Sequence, residues 1–188
     1  PKSKADLAFT MHMLSWLAVD GTAAIVEFPG VLYRGAAEAK IRQYLVENNY
    51  IDAVIQLPAD LFFGTTIGTC IIVFKKSKQD NSVLFVDASK QFVREGNKNK
   101  LSAENQEMIL ETLAKRADVD HVAALVGADA IRENGFNLSV SSYVEAEDTR
   151  EEVDIVELNA RIKEIVERQA VLRASIDEIV ADLEGGAQ

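Results

Sequence analysis

Few residues in this 188-residue chain have the type and spacing to do chemistry, and they concentrate in one loop. Ala59-Asp-Leu-Phe-Phe-Gly-Thr-Thr-Ile-Gly68 sets two adjacent aromatics beside a glycine and two hydroxyls, between two apolar runs that read as buried strands. Elsewhere the inventory is thin. The single cysteine, Cys70, lies inside one of those runs, which fits packing and excludes an internal disulfide. His12 and His121 stand far apart, with no carboxylate or cysteine set at ligand spacing, so no metal site is expected. Neither G-x-x-x-x-G-K nor G-x-G-x-x-G occurs, nor a G-x-S-x-G elbow, nor H-E-x-x-H.

The elements that position the loop read as an α/β arrangement. Thr22 to Phe28 follows an Asp20-Gly21 turn and stops at Pro29-Gly30. Ala36 to Asn48 is a helix with Ala37, Ile41, Tyr44 and Leu45 on its apolar face. Ile51 to Leu57 and Thr69 to Phe74 flank the loop, and Val83 to Val86 is a fourth strand candidate ending at Asp87, whose carboxylate suits a local turn bond. Runs this continuous predict a sheet covered on both faces. Ala5 to Val19 is apolar over most of its surface and is expected to lie buried against that sheet.

Beyond Lys100 the pattern weakens. Glu95 to Lys100 reads as a loop, Ser102 as the N-cap of a helix through Arg116, Val122 to Val126 as a short strand, Ala128 to Glu133 as a short helix, and Phe136 to Val144 as extended chain. From Ile155 onward it sharpens again: Ile155, Leu158, Ile162, Ile165, Gln169, Leu172, Ile176, Ile179 and Leu183 alternate spacings of three and four, the heptad pattern of a helix that packs along one stripe. Asp154 and Glu157 form its capping pair, and Gly185-Gly186 its stop. Val166 and Val180 widen the stripe toward a multi-helix bundle, and Gln169 either fixes register or lies on an exposed edge. The helix either folds back on its own domain or serves a partner. Three regions follow: 1–100 a partial α/β core, 101–152 a satellite region, and 153–184 the long helix.

Net charge is -10, with 48% apolar and 27% charged residues, ordinary for a globular protein. No apolar run approaches the roughly 18 residues of a membrane span, and the start lacks a signal-peptide core, so a cytoplasmic protein is expected. The acid belongs to the second half. Residues 75–100 hold seven Lys and Arg against three acids, a cluster that suits either phosphate contacts or a solvated loop.

Pro1-Lys-Ser-Lys-Ala-Asp-Leu-Ala-Phe9, Gly21-Thr-Ala-Ala-Ile-Val26 and Pro29-Gly-Val-Leu-Tyr-Arg-Gly35 resemble the modification subunit of bacterial type I restriction-modification systems. So do Ile51-Asp-Ala-Val-Ile-Gln-Leu-Pro58, Leu61-Phe-Phe-Gly-Thr-Thr-Ile-Gly-Thr-Cys-Ile-Ile-Val-Phe-Lys-Lys76 and Asn137-Leu-Ser-Val-Ser-Ser-Tyr-Val144. The resemblance implies transfer of a methyl group from S-adenosylmethionine to the exocyclic amine of adenine in DNA, in complex with specificity and restriction subunits. It also implies the last three strands of a Rossmann-like methyltransferase sheet, with Thr69 to Phe74 antiparallel and inserted between the other two.

The family's glycine-rich cofactor motif and its Asn-Pro-Pro-aromatic motif are both missing. The resemblance therefore implies the C-terminal part of a longer enzyme, inert by itself, with Thr22 to Phe28 exposed as an edge open to self-association. Phe62, Phe63, Gly64, Thr65 and Thr66 would face the flipped base, the alternative being that Phe62 or Phe63 is core. Pro29, Gly30 and Arg34 would lie at the carboxyl end of the sheet, with Arg34 a phosphate contact. The final helix would grip the specificity subunit. The rival reading is a stand-alone assembly module without chemistry, acting through that helix.

Overall fold

A computed structural model of the chain describes residues 4–147 and 154–185. Helix α1 (Asp6–Trp16) leads into strand β1 (Thr22–Glu27), a 3-10 turn (Pro29–Leu32), helix α2 (Ala37–Glu47), and strands β2 (Ile51–Gln56), β3 (Cys70–Lys75) and β4 (Ser82–Asp87). A small hairpin, β5 (Val93–Glu95) and β6 (Lys98–Lys100), precedes α3 (Ala103–Lys115), β7 (Ala123–Gly127), α4 (Ala128–Glu133) and a second 3-10 turn (Val140–Ser142). Helix α5 (Ile155–Gly185) forms a separate unit, and residues up to 147 form the other.

The main sheet has the order β1-β3-β2-β4-β7. Strand β3 runs antiparallel to both β1 and β2 and lies between them, as the resemblance implied, while β2 and β4 are parallel. Side-chain alternation explains why β2 and β4 read as unbroken apolar runs. Val54, Ile72, Phe74, Val83 and Phe85 feed one core with Leu7 and Leu14 of α1, Leu45 and Val46 of α2 and Ile131 of α4. Ala53, Ile55, Leu84 and Val86 feed the other, against Ile109 of α3. Helix α3 is set by the Ser102–Asn105 capping box, with Ser102 as its N-cap as read from sequence.

The fold departs from the sequence pattern in several places. Helix α1 is buried along Leu7, Thr10 and Leu14 only, and Phe9 and Trp16 are 66% and 80% exposed, because the helix meets the sheet along one stripe. In α2 the inward face carries Glu38, Arg42, Leu45 and Val46, while Tyr44 is exposed. Arg42 tolerates burial because its guanidinium donates to the carbonyls of Phe136 (2.9 Å) and Val31 (3.0 Å). The extended chain expected over Phe136 to Val144 is broken by the 3-10 turn, which seats Leu138, Val140 and Val144 in the core and stacks Tyr143 on Phe85 with centroids 4.3 Å apart. Residues 101–147 are no satellite: β7 joins the main sheet and α3 covers its second face. Gly186, read as part of the helix stop, and the 152/153 boundary lie outside the described residues.

The two sheet edges differ. On β7 the outward amide of Leu125 donates to Asp118 Oδ1 at 2.7 Å, so the chain's own turn occupies that edge. On β1 the outer side has no strand partner among the described residues, and Val26 and Phe28 are exposed where α3 does not reach.

Candidate functional site

Because β3 opposes both β1 and β2, the carboxyl ends of β1 and β2 fall on one sheet edge, and the parallel β4 ends there too. The turn after Glu27, the loop after Gln56 and the chain after Asp87 all open on that edge, where ligands bind in α/β sheets.

The loop between β2 and β3 has a closed neck. The Leu57 amide donates to the Thr69 carbonyl at 2.8 Å, and Gln56 Nε2 lies 3.4 Å from the same oxygen. A side chain at Gly68 would meet the Leu57 carbonyl at 3.2 Å, so the neck is close enough to favour glycine. Leu61 packs inward against the second core. Phe62 and Phe63 do not: Phe62 is 38% exposed and Phe63 is completely exposed, so neither is the core residue that the alternative reading allowed. Gly64 has φ +81°, a left-handed conformation that turns the chain directly after Phe63. Thr65 Oγ1 accepts from the Ile67 amide at 3.1 Å.

The β5–β6 hairpin sits against this loop. Asn99, buried, donates through its backbone amide to the Asp60 carbonyl (3.0 Å) and through Nδ2 to the Ala59 carbonyl (2.8 Å). Lys98 Nζ donates to the carbonyls of Phe62 (3.2 Å) and Thr65 (3.0 Å). Arg94 and Lys98 reach the Asp60 carboxylate at 3.6 and 3.8 Å. The segment is a paired hairpin and not the loop expected from its sequence. The missed signal is Glu95-Gly96-Asn97-Lys98, two turn residues with Gly96 at φ +61°, as a tight hairpin requires.

Pro29 and Gly30 lie in the 3-10 turn after β1, on the same edge. The Arg34 guanidinium crosses Gly30, sits 5.2 Å over the Phe28 ring and lies 3.6 Å from Glu38. Beneath, Thr10 Oγ1 donates to Glu27 at the strand's end, and burial pushes the Glu27 carboxyl above its ordinary range. Neighbouring Cys70 is fully buried, its thiol pushed up to about 12 by burial and then by the Glu27 charge, which makes it a packing residue as expected. Asp87 accepts from the Ser89 amide at 2.8 Å, the local turn bond read from sequence. Beside it a shallow cavity of about 230 Å³ is lined by Asp87, Lys90, Asp120 and His121, residues not brought to the aromatic loop.

The cationic cluster of residues 75–100 is divided between the two edges, and each of its members has a protein partner. At the amino edge Lys75 pairs with Asp52 (2.9 Å), Lys76 donates to the Leu17 carbonyl, and Lys78 donates to the carbonyls of Ile51 and Ser82. At the loop edge Arg94 and Lys98 serve Asp60, Lys100 serves Glu95 and Lys90 lies 4.0 Å from Glu147. No group of three or more His, Cys, Asp or Glu suited to a metal occurs among the described residues.

Helix α5, by itself, begins with Asp154 Oδ1 accepting from the amides of Val156 (2.8 Å) and Glu157 (3.2 Å). The seam residues Ile155, Leu158, Ile162, Ile165, Leu172, Ile176, Ile179 and Leu183 are all exposed. No described helix is long and apolar enough to cross a membrane.

The model of the N-6 DNA methylase family matches residues 1–152. This chain belongs to that family. It is 47% identical over 184 residues to the type I restriction enzyme MpnII methylase subunit of Mycoplasma pneumoniae, covering 97% of this chain and 34% of the relative. The MjaVII methylase subunit of Methanocaldococcus jannaschii is 31% identical over 191 residues, covering 98% and 32%. Among solved structures, the type I restriction-modification methyltransferase subunit of Streptococcus thermophilus superposes with TM-score 0.76 at 44% identity, over 77% of this chain and 31% of that one. The chain therefore spans about a third of the length of these relatives.

Proposed function

We propose that this chain is the C-terminal part of the modification subunit of a type I restriction-modification enzyme, which methylates the N6 amine of adenine in DNA with S-adenosylmethionine as donor. The observation that carries the reading is the loop after β2, which holds Phe63 fully exposed at the carboxyl edge of a sheet with an inserted antiparallel strand. A base drawn out of the DNA stack needs an aromatic wall, and the backbone beside Gly64 leaves room for close approach. Phe62, Phe63, Gly64, Thr65 and Thr66 form that wall. Pro29, Gly30 and Arg34 border it on the β1 side, Arg34 reaching DNA phosphate from its place over Phe28.

In this reading the donor is bound by residues beyond this chain, because the family's glycine-rich and Asn-Pro-Pro-aromatic motifs are not in it. The chain alone is then catalytically inert, works in the cytoplasm as part of the complex with the specificity and restriction subunits, and engages the specificity subunit through α5. The exposed seam of α5 equally favours the second reading, a non-catalytic assembly module. Transfer of tritiated methyl from S-adenosylmethionine to unmodified DNA separates the two. The full reading frame that carries this chain, assembled with its specificity subunit, transfers label and the 188-residue chain does not. Transfer by the chain alone would overturn the assigned division of labour, and a native polypeptide matching this chain's 20.7 kDa would favour the assembly module.

A further inference from the structure

The β5–β6 hairpin pairs with no other strand among the described residues, and three-residue strands do not hold themselves together in water. Its bonds to the rest of the fold run largely to one place, the stretch from Ala59 to Thr65. Asn99 is buried and its polar atoms are satisfied: the amide reaches the Asp60 carbonyl, Nδ2 the Ala59 carbonyl, and Oδ1 accepts from Arg94 at 3.0 Å. Arg94 can only donate and a carbonyl can only accept, so this orientation of the amide is the one the partners permit. Lys98 then gathers two carbonyls, those of Phe62 and Thr65, onto one ammonium. Only three peptide bonds separate those carbonyls, with Phe63 and Gly64 between them, and drawing the carbonyls together forces the chain out and back with Phe63 at its tip.

Two left-handed residues in this span, Asp60 at φ +55° and Gly64 at φ +81°, mark the conformation that the contacts maintain. The free loop would not keep it at no cost. We infer that the hairpin is a clamp that sets the shape of the aromatic loop, with Asn99 and Lys98 as positioning residues for Phe63. The clamp itself is a matter of this fold, whereas its consequence for methylation rests on the function proposed above.

The test uses the full-length subunit carrying this chain, purified with its specificity subunit. Asn99→Asp keeps the shape and the acceptance from Arg94 but replaces the donor to Ala59 with an oxygen; Lys98→Met keeps the aliphatic stem and removes both donations. Hydrogen exchange of the Asn99 amide, held by the Asp60 carbonyl, and of the Ile67 amide, held by Thr65 Oγ1, should accelerate roughly tenfold in each variant, with the peptides of β2 and β4 unchanged. Unaltered loop exchange in both variants overturns the clamp.

With 2-aminopurine at the target position both variants should lose flipping signal, and on the duplex that keeps adenine there they should lose roughly tenfold in kcat/KM for DNA, at constant KM for S-adenosylmethionine. Lys98→Met should add no further loss to Phe63→Ala, since a clamp has nothing to position once the ring is gone. Faster exchange without loss of flipping, where Phe63→Ala alone does impair it, overturns the positioning role. Faster exchange with a silent Phe63→Ala upholds the clamp and removes the base-facing reading instead.

Discussion

Thr10 on helix α1 donates a 2.9 Å hydrogen bond to the carboxylate of Glu27 at the end of β1, and both residues are buried. The bond ties the first helix to the edge strand at the carboxyl edge of the sheet. Thr10→Val should leave the carboxylate without its side-chain partner and lower unfolding stability by about 1–3 kcal/mol at neutral pH, measured by urea denaturation. Burial raises the folded-state pKa of Glu27, so its contribution is most favourable below the ordinary carboxyl value and is lost as pH rises through the raised one. Glu27→Gln should therefore flatten the fall in stability between mildly acidic and neutral pH.

Cys70 should be inert while the chain is folded. A thiol pushed up to about 12 and fully buried offers almost no thiolate at neutral pH. Labelling by a thiol reagent should track global unfolding in urea, and reaction within minutes in native buffer would contradict the burial.

At the amino edge of the sheet, Lys75, Lys78 and Arg116 surround Asp52 and Asp80. Hydrogen bonds from Ser82 hold the Asp80 carboxyl down at about 2, against an ordinary 3.8. The stability it adds is present above 3.8 and should be lost as pH falls toward 2; Asp80→Asn should remove that acid limb. Lys78 runs the other way. Desolvation, with Arg116 nearby, lowers it from 10.5 to about 8, so between those values the unfolded chain holds a proton that the folded one lacks. The Lys78 contribution to stability should rise from pH 8 until the raised Cys70 thiol, whose ordinary value is 9, begins to work against it, and Lys78→Met should abolish the rise between 8 and 9 in a pH series of thermal melts.

Helix α5 should carry association without carrying the fold of the other unit. Ile165→Glu and Leu172→Glu place charge in the exposed seam and, in the assembly proposed above, should each weaken binding to the specificity subunit by roughly tenfold or more. The melting transition of the unit ending at residue 147 should not move. Binding is read by titration of the subunits and stability by calorimetry, and loss of both together would overturn this prediction.

Strands whose side chains are buried on both faces were legible because burial removes the polar alternation that blurs other segments: Ile51–Gln56 and Ser82–Asp87 lie close to where the apolar runs put them. The heptad helix was equally legible. The order of β1, β3 and β2 came from resemblance, since no local pattern tells a strand its neighbours. Helix α1 misled because Phe9 and Trp16 are apolar yet exposed, and α2 misled because Arg42 is charged yet buried; each depends on tertiary partners that hydropathy does not encode. The aromatic loop was found from its flanks and composition. Its clamp was not, because Asn99 and Lys98 look like solvated loop residues until Ala59, Phe62 and Thr65 are seen to supply their acceptors.

For the 188-residue chain by itself, the unequal edges of the sheet predict a direction and a limit for self-association through β1. Asp118 occupies an outward amide on β7, while the outer side of β1 stays open among the described residues. Two copies that meet through β1 use the same surface on each, and the pair thereby consumes the open side of both while its two remote margins are already occupied. Such pairing closes after one step: it yields a two-fold dimer with a continuous ten-stranded sheet, twice the five strands of one copy, rather than a growing fibre. Sedimentation at rising concentration should then level off at twice the chain mass, and a charge placed on that margin by Ala24→Lys should return it to one.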